Sequence, residues 1–458
     1  MDNGIDTDIV MDTQVVVLMG GLGTRLGLAD RPKTMADIDG HPFFDYQFKL
    51  LRRWKFYKFL FLVGYQADCI EDYYGDGSRW QVNIQYSYDG PNQLGTGGAL
   101  KNAEGKLEEN FLLIYGDSFM DIDYQETVYR YFMERAAGMS GIMTILRNEN
   151  RYDSSNVEYR EGKLLLYDKV HTNDRMQYID YGVSMLSRSI LADAERNRKF
   201  ELAELVTALS KKGKLAAQVV SKRFYEIGNP TSLQEFCTYA QKRFRGKRPA
   251  IFFDRDGVIN ELSYNDDIEQ LDSPFKPEEF VYKPGVIKTL LSIQRKGYYI
   301  FIITNQPAAA KGKTSLARLY DLNTWMMQDL QEKGVSVEFV SMCPHHPTGE
   351  KRTGYPFLVK ACGCRKPEAG MVTDLMQVYN IDQGSSFLVG DSYTDVITGK
   401  KAGLKTVLLG MPKCDACQRL LGNRPDFIIE DMTALEKIIA KWKTGGIENV
   451  SGVYRELS

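Results

Sequence analysis

Asp254 and Asp256 end an apolar run, "AIFFDRDGVIN", with a single arginine between them. Residues i and i+2 share a face of a strand, and Gly257 implies a turn just beyond, so both acids can converge on one cation. Paired buried carboxylates repel unless a metal or a proton stands between them. Taken alone, Asp-x-Asp reads as a solvated turn. Three further stretches change that reading. "FIITNQ" ends in Thr304 and Asn305, hydroxyl and amide donors for phosphate oxygens; "FLVGDSYTD" carries Asp391 with Asp395 four residues on; "CRKPEAGM" adds Arg365 and Lys366. Strand ends of a parallel sheet open into one crevice, so these groups would meet as a phosphate site.

A second concentration of chemistry lies just before that Arg-Lys pair. Cys343 and His345 are followed, after sixteen residues, by Cys362 and Cys364, in a chain with seven cysteines and four histidines. Three thiolates and one imidazole form a closed tetrahedral zinc set of the structural kind. His346 is the spare candidate; neighbours on an extended loop point oppositely, so only one histidine should ligate. A zinc there would tie the loop (343–364) together and hold Arg365 and Lys366 at the mouth of the cleft, doing no chemistry itself. Cys414 and Cys417 form a Cys-x-x-Cys without partners, and Cys69 and Cys237 read as core residues.

A third stretch, "LMGGLGTRLGLADRPK", follows a strand and holds Gly20, Gly21, Gly23 and Gly27. Without Cβ atoms, backbone N–H groups can approach an anion closely. The glycines alone fit an ordinary strand-to-helix turn equally well. Arg25 and Lys33 sharpen the case, as cations that could stabilise charge developing on a pyrophosphate.

The elements that must position these groups follow a regular plan. Strand-like runs alternate with longer helical patterns, as in α/β proteins with parallel sheets. One series runs through "QVVVLMG", "FLFLVGY", "FLLIYGD" and "GIMTIL"; another runs through "AIFFDRDG", "YYIFIITNQ", "SSFLVGDS" and "KTVLL". Between them "YAQKRFRGKRPA" reads as a junction near Gly246, so two tandem α/β domains are expected, over residues 12–245 and 249–443. For 458 residues, two domains suit ordinary domain sizes. A formal charge of −2 gives no general attraction to nucleic acid or anionic lipid. No apolar run approaches the roughly 20 residues of a membrane span, and the acidic start does not read as a signal peptide. An odd number of cysteines suits a reducing compartment, so a cytoplasmic protein is expected.

The residues of the first domain resemble the sugar-1-phosphate nucleotidyltransferases. The resemblance rests on "GGLGTRL…RPK", "QLGTGGAL", "YGDSFMDID", "YDKV…YIDYGVSML" and "FYEIGNP", in the family's order. The subgroup it looks most like is the heptose-1-phosphate guanylyltransferases. The resemblance implies a Rossmann-like, GT-A-like fold in which Gly20, Gly21, Gly23 and Thr24 wrap the NTP phosphates and Arg25 and Lys33 activate them. It implies Gln93 and Gly98 at the base, Lys169 and Gly182 at the sugar phosphate, and Asp117 and Glu226 on Mg²⁺. Thr34 stands where the family usually has Pro, and Glu226 where it usually has Asp.

The second domain resembles the haloacid dehalogenase superfamily of phosphatases. Within it, "DRDGVIN", "TNQ", "CPHHP" and "CGCRKPEAGM" resemble the heptose-1,7-bisphosphate 7-phosphatases and the related histidinol-phosphatase group. This implies a Rossmannoid fold with Asp254 as nucleophile and Asp256 as acid and base. Mg²⁺ would be held by Asp254, the Asp256 carbonyl and Asp391. Thr304, Asn305 and Lys366 would bind the transferring phosphoryl group, Arg365 the substrate's other phosphate, and His345 would be the zinc-ligating histidine. Val258 replaces the usual Thr and Ser392 the usual Lys.

Together the resemblances imply a bifunctional enzyme. It would remove the C7 phosphate of heptose 1,7-bisphosphate and then transfer a nucleotidyl group, GMP from GTP, to heptose 1-phosphate. Small-molecule sugar phosphates and NTPs are the implied partners, with no nucleic acid or membrane; self-association is left open. Two alternatives stand beside this reading: the same activities on another sugar phosphate or a histidinol-phosphate-like substrate, or one half as a non-catalytic module.

Overall fold

Gln14–Leu18 (β1), with three consecutive valines at its centre, is buried along its whole length, as a central parallel strand must be. In the computed structural model of the chain, the described residues are 9–21, 26, 31–90, 93–265, 269–349, 355–410 and 423–443. Contacts divide the chain into two units, Met1–Arg243 and Phe244–Ser458, so the boundary falls slightly before Gly246.

In the first unit a two-residue pair, Asp37–Ile38 (β2) and His41–Pro42 (β3), leads into Phe43–Arg53 (α1). There follow Lys58–Val63 (β4), Ala67–Tyr74 (α2), Asn83–Tyr88 (β5), Gly95–Asn102 (α3), Asn110–Tyr115 (β6), Ser118–Phe119 (β7), Tyr124–Ala136 (α4) and Gly141–Arg147 (β8). The unit closes with Val157–Arg160 (β9), Lys163–Tyr167 (β10), Tyr178–Ser187 (β11), Leu202–Lys211 (α5), Leu215–Val220 (β12), Tyr225–Glu226 (β13) and Pro230–Phe244 (α6). Strands β6, β1, β4 and β5 are parallel neighbours, with Val16 between Leu60 and Leu113. The rest of the sheet departs from the expected parallel pattern: β11 runs antiparallel to β6 and β8, and β9–β10 is an antiparallel hairpin. The two-residue turn between β9 and β10 permits only that direction for the hairpin, while β12 returns parallel to β8. Val16, Leu60, Leu113, Met143 and Leu186 share one core under α3 and α5, each apolar side chain contributing about 1.5–3 kcal/mol by burial.

The second unit opens with Ala250–Asp254 (β14), then a hairpin of Ser263–Asn265 (β15) and Gln270–Asp272 (β16). Val286–Arg295 (α7), Tyr299–Asn305 (β17), Leu316–Glu332 (α8), Phe339–Cys343 (β18), Gly370–Val378 (α9) and Phe387–Gly390 (β19) follow. Tyr393–Lys401 (α10), Lys405–Leu409 (β20), Phe427–Ile429 (β21) and Leu435–Lys443 (α11) complete it. The six strands are ordered β18-β17-β14-β19-β20-β21 and all pairs are parallel. The chain builds outward from β14 to β17 and β18, then crosses back to β19 on the other side. That reversal opens a crevice at the carboxyl ends of β14 and β19, where parallel α/β sheets bind ligands. Among the described residues, no helix is long and apolar enough to cross a membrane.

Candidate active sites

The first site is assembled by a two-residue ladder. Strand β7, just after Asp117, pairs with β13 so that Ser118 faces Glu226, and Ile227 N–H donates to the Asp117 carbonyl at 3.1 Å. Two carboxylates distant in sequence therefore become neighbours. Lys33 Nζ lies 2.6 Å from Asp117 Oδ2 and 3.7 Å from Glu226 Oε1. Burial, then the charge of Asp117, pushes the Glu226 pKa up. An oxygen pair that repels itself is a donor set suited to a hard divalent cation such as Mg²⁺. Gly116 lets this corner close, since a Cβ there would sit 2.9 Å from the Thr34 methyl. The usual proline position is thus occupied by a buried threonine packed against the strand end.

These groups open on a cleft of ≈ 290 Å³ lined by Gly20, Gly21, Lys33, Gln93 and Asp117, all expected from the sequence. Gly23, Thr24 and Arg25 lie outside the described residues. Gly98 does not line the cleft; it serves α3 packing, where a Cβ would meet the Arg198 carbonyl at 2.7 Å. Gly182 sits in the bulge of β11 and donates its N–H to Asp180 Oδ1 at 2.9 Å. Lys169 does not line the cleft; its Nζ stands 3.9 Å from Asp180 Oδ2 and 5.7 Å from the centre of the ring of Tyr115, which does.

Three charged lining residues were not anticipated: Asp89, Lys199 and Glu201. Glu201 Oε2 accepts from Thr96 Oγ1 at 2.6 Å, joining α3 to the start of α5. Asp89 follows β5 and leans back so that a Cβ on Gly20 would be 3.4 Å from its Oδ2. Burial pushes its pKa up to about 6.

The second site lies at the crevice of the second unit. One oxygen from each of Asp254, Asp391 and Asp395 can be chosen so that all lie within 4.8 Å of one another, a hard-oxygen set fitting Mg²⁺. Asp254 ends β14, Asp391 follows β19, and Asp395 sits in the first turn of α10, where it completes a capping box with Ser392. The sequence placed Asp395 beside the site but gave it no role there. Lys366 Nζ reaches both sides, 2.7 Å from Asp254 Oδ1 and 2.6 Å from Asp395 Oδ1. Burial and the nearby Asp395 push Asp254 well above the carboxylate range. Against the penalty of burial, Asp254 and Asp395 raise the Lys366 pKa.

The Asp256 carboxylate stands outside this cluster and is held by other side chains. Arg255, fully buried, grips it through Nε and Nη2 at 3.1 Å each. Asn260 Nδ2 donates at 3.0 Å and Ser273 Oγ at 2.8 Å, with Gln306 as a further donor. Despite burial, those partners lower the Asp256 pKa, Arg255 foremost among them. Arg255, Ser273 and Gln306 were absent from the sequence expectation. Thr304 is buried and its hydroxyl accepts from Gln306 Nε2 at 2.9 Å. Asn305, expected to donate to phosphate, instead bonds the backbone of Lys366.

The thiol loop is bonded into the same ladder. Cys343 ends β18 opposite Asn305 of β17, and Gln306 N–H donates to its carbonyl at 2.8 Å. Cys343, His345, Cys362 and Cys364 present ligand atoms within 4.8 Å of one another. Five of their six separations run from 3.2 Å (Cys362 to Cys364) to 3.7 Å (Cys343 Sγ to His345 Nδ1). A zinc–sulfur bond of about 2.3 Å implies a tetrahedral edge of about 3.8 Å, so the donor set fits zinc with little adjustment. His346 turns elsewhere, its Nδ1 accepting from Thr348 N–H at 3.2 Å. Arg365 Nη1 donates to the His345 carbonyl at 3.1 Å, which links the loop directly to the cation beside Lys366. Cys414 and Cys417 lie outside the described residues, and Cys69 and Cys237 are half-buried rather than core.

Comparisons with known proteins follow the same division. The nucleotidyl transferase family model matches residues 14–243, and a HAD-hydrolase-like model matches residues 363–435. The D-glycero-beta-D-manno-heptose-1,7-bisphosphate 7-phosphatase of Rhodopseudomonas palustris is 39% identical over 158 residues, spanning 34% of this chain and 81% of that protein. The corresponding alpha-anomer phosphatase of Photorhabdus laumondii is 40% identical over 158 residues, 34% of this chain and 80% of that protein. Among solved structures, HddC from Yersinia pseudotuberculosis complexed with GMP-PN is 26% identical with a TM-score of 0.41, over 50% of this chain and 99% of that one. The chain belongs to the nucleotidyl transferase family through its first unit, and through its second to the HAD-like hydrolases that include the heptose-1,7-bisphosphate 7-phosphatases.

Proposed function

We propose that the chain carries out two consecutive steps of nucleotide-activated heptose synthesis. The observation that carries this reading is that one chain holds both an acid–lysine phosphoryl cluster at Asp254 and a carboxylate–lysine nucleotide cleft at Lys33. In the first step Asp254 attacks the C7 phosphorus of heptose 1,7-bisphosphate, and the bond to the sugar oxygen breaks. For this, Asp256 must leave the grip of Arg255 and be protonated when substrate binds; it then gives that oxygen its proton and takes one from the water that opens the aspartyl-phosphate. Lys366 balances the charge of Asp254 and of the phosphoryl oxygens, with Thr304 as a hydroxyl donor. Mg²⁺ at Asp254, Asp391, Asp395 and the Asp256 carbonyl would supply further charge neutralisation, and zinc on Cys343, His345, Cys362 and Cys364 a structural tie.

In the second step the phosphate oxygen of heptose 1-phosphate attacks the α-phosphorus of the nucleotide in line, and pyrophosphate leaves. Lys33 and Arg25 hold the NTP phosphates over Gly20, Gly21, Gly23 and Thr24, with Gln93 toward the base. Lys169 and Gly182 position the sugar phosphate, and Asp117 and Glu226 hold Mg²⁺. GTP is the proposed nucleotide: guanine offers two adjacent N–H donors, which suits the acceptor carboxylate of Asp89. Both reactions belong in the cytosol, where phosphorylated sugars and NTPs are found. The two relatives named above carry opposite anomers at almost equal identity, so either anomer is a substrate to assay.

Incubation of the protein with heptose 1,7-bisphosphate, Mg²⁺ and each NTP separately tests the reading. Phosphate released without any NTP, followed by pyrophosphate with GTP alone, is the expected outcome. Asp254→Asn should abolish phosphate release and leave transfer to supplied heptose 1-phosphate intact. Loss of both activities in that variant would sink the assignment of independent sites.

A further inference from the structure

Asp117 and Glu226 stand at one end of the β7–β13 ladder, and an ion pair closes the other end. Asp121 lies two residues beyond Phe119 on one arm and Lys222 three residues before Tyr225 on the other; Lys222 Nζ is 2.9 Å from Asp121 Oδ2. Arg243 of α6 approaches the same oxygen at 3.4 Å. Asp121 and Arg243 are buried, and Lys222 is about one-quarter exposed. A carboxylate sunk this far is costly unless cations hold it, so the pair ties the two arms together.

The arms are anchored unequally. The Asp117 arm is fixed to α1 by a closed ring of hydrogen bonds. Met120 N–H donates to Gln47 Oε1 at 2.8 Å, Gln47 Nε2 to the Tyr124 hydroxyl at 2.7 Å, and that hydroxyl to the Met120 carbonyl at 2.7 Å. Gln47 and Tyr124 are fully buried, where such rings are stiff. On the Glu226 arm, Tyr225 stacks on Tyr239 of α6 at 4.4 Å between ring centres, and Arg243 Nε donates to the Tyr239 hydroxyl at 3.3 Å. Stacking covers the arm without fixing where it stands along its partner. A ladder of two paired residues is marginal by itself, so the charge pair is what holds one arm to the other.

We propose that Lys222 and Asp121 are positioning residues for nucleotidyl transfer: their ion pair sets the spacing of Asp117 and Glu226 from the far end of the ladder. This rests on the nucleotidyl-transfer reading above and extends it to two residues that do not line the cleft.

Hydrogen exchange on the full chain, free of metal and nucleotide, reads the positioning through Ile227, whose N–H donates to the Asp117 carbonyl. In Lys222→Met the peptide holding Ile227 should exchange about tenfold faster, while peptides of β1 and β4 keep the wild-type rate. Lys222→Arg should restore the protection. In kinetics, the Mg²⁺ concentration for half-maximal pyrophosphate release should rise about tenfold in Lys222→Met. The KM for GTP at saturating Mg²⁺ and the rate of phosphate release from the heptose bisphosphate should not change. Lys222→Gln is the second neutral variant. Unchanged exchange at Ile227 in both neutral variants overturns the proposal, as does faster exchange spread evenly over the first unit. An arginine variant no better than methionine, or faster exchange with an unchanged Mg²⁺ requirement, overturns it too. If neither neutral variant folds, the pair supports the whole unit and the proposal also fails. Wild-type protein that releases no pyrophosphate from any NTP with heptose 1-phosphate overturns the proposed function instead, and the exchange at Ile227 still decides whether the pair sets the ladder.

Discussion

The carboxamide of Asn305 holds the backbone of Lys366 at both polar groups, Nδ2 donating to its carbonyl at 3.0 Å and Oδ1 accepting from its N–H at 3.0 Å. This clasp sets the ammonium that bridges Asp254 and Asp395. Asn305→Ala should therefore lower kcat for phosphate release about tenfold or more, since small displacements of a positioned group are costly. Asn305→Asp should be worse, because it sets an acceptor against the Lys366 carbonyl. Pyrophosphate release from GTP and heptose 1-phosphate, measured on the same samples, should stay at the wild-type rate.

Gly257 has φ +83°, and a Cβ there would fall 2.1 Å from Asp391 Oδ2. At Gly390 a Cβ would fall 2.1 Å from the Asp395 Cβ. Neither contact can be relieved without moving an acid of the cluster. Gly257→Ala and Gly390→Ala should each cost at least about 1–3 kcal/mol of stability and reduce phosphate release more than a hundredfold. Thermal unfolding and kinetics on the two variants check both effects; near-normal phosphate release in either would show that the acids are placed by something else.

Zinc removal should act on one activity only. Dialysis against a zinc chelator frees the loop that carries Arg365 and Lys366, so phosphate release should be lost while nucleotidyl transfer continues. Cys362→Ser should behave in the same way and bind less zinc by elemental analysis. Mg²⁺ added to the chelated protein should not restore phosphate release, whereas zinc should.

Asp89 makes stability depend on pH in an unusual direction. Its folded pKa near 6 exceeds the roughly 3.9 of an unfolded aspartate. The folded chain thus holds this proton more tightly, and the benefit present below pH about 4 is lost as pH rises through about 6. Asp89→Asn removes the charged form. It should stabilise the first unit by about 1 kcal/mol at pH 8, allowing for partial exposure to solvent, and by nothing measurable at pH 4. Denaturant unfolding at the two pH values decides it.

Much of this architecture is legible because strand ends carry the chemistry. Asp117, Asp254, Thr304 and Asp391 each close or follow an apolar run, and the topology does the rest. The zinc ligands are legible from spacing, because ligands close in sequence need little folding to meet. Asp89, Lys199 and Glu201 are different. Lys199 and Glu201 reach the cleft because Gly97 N–H donates to the Phe200 carbonyl at 3.0 Å, a contact between segments far apart in the chain. Asp89 reaches it because β5 ends beside β4, Asp89 N–H donating to the Val63 carbonyl at 3.0 Å. Arg255 was overlooked for the opposite reason: between two aspartates it reads as a solvated cation, and only the fold shows it buried against Asp256. The role of Asn305 was misjudged because its residue type suits a phosphate oxygen as well as a peptide group.

Asn305 and Cys343 occupy the same rung of the β17–β18 ladder. The thiol loop therefore springs from the edge of the sheet while Asp254 and Asp391 stand at the ends of inner strands. Changing the length of chain between Cys343 and Cys362 should leave the Asp254, Asp391 and Asp395 cluster in place, because the strands that hold those acids are laid down without it.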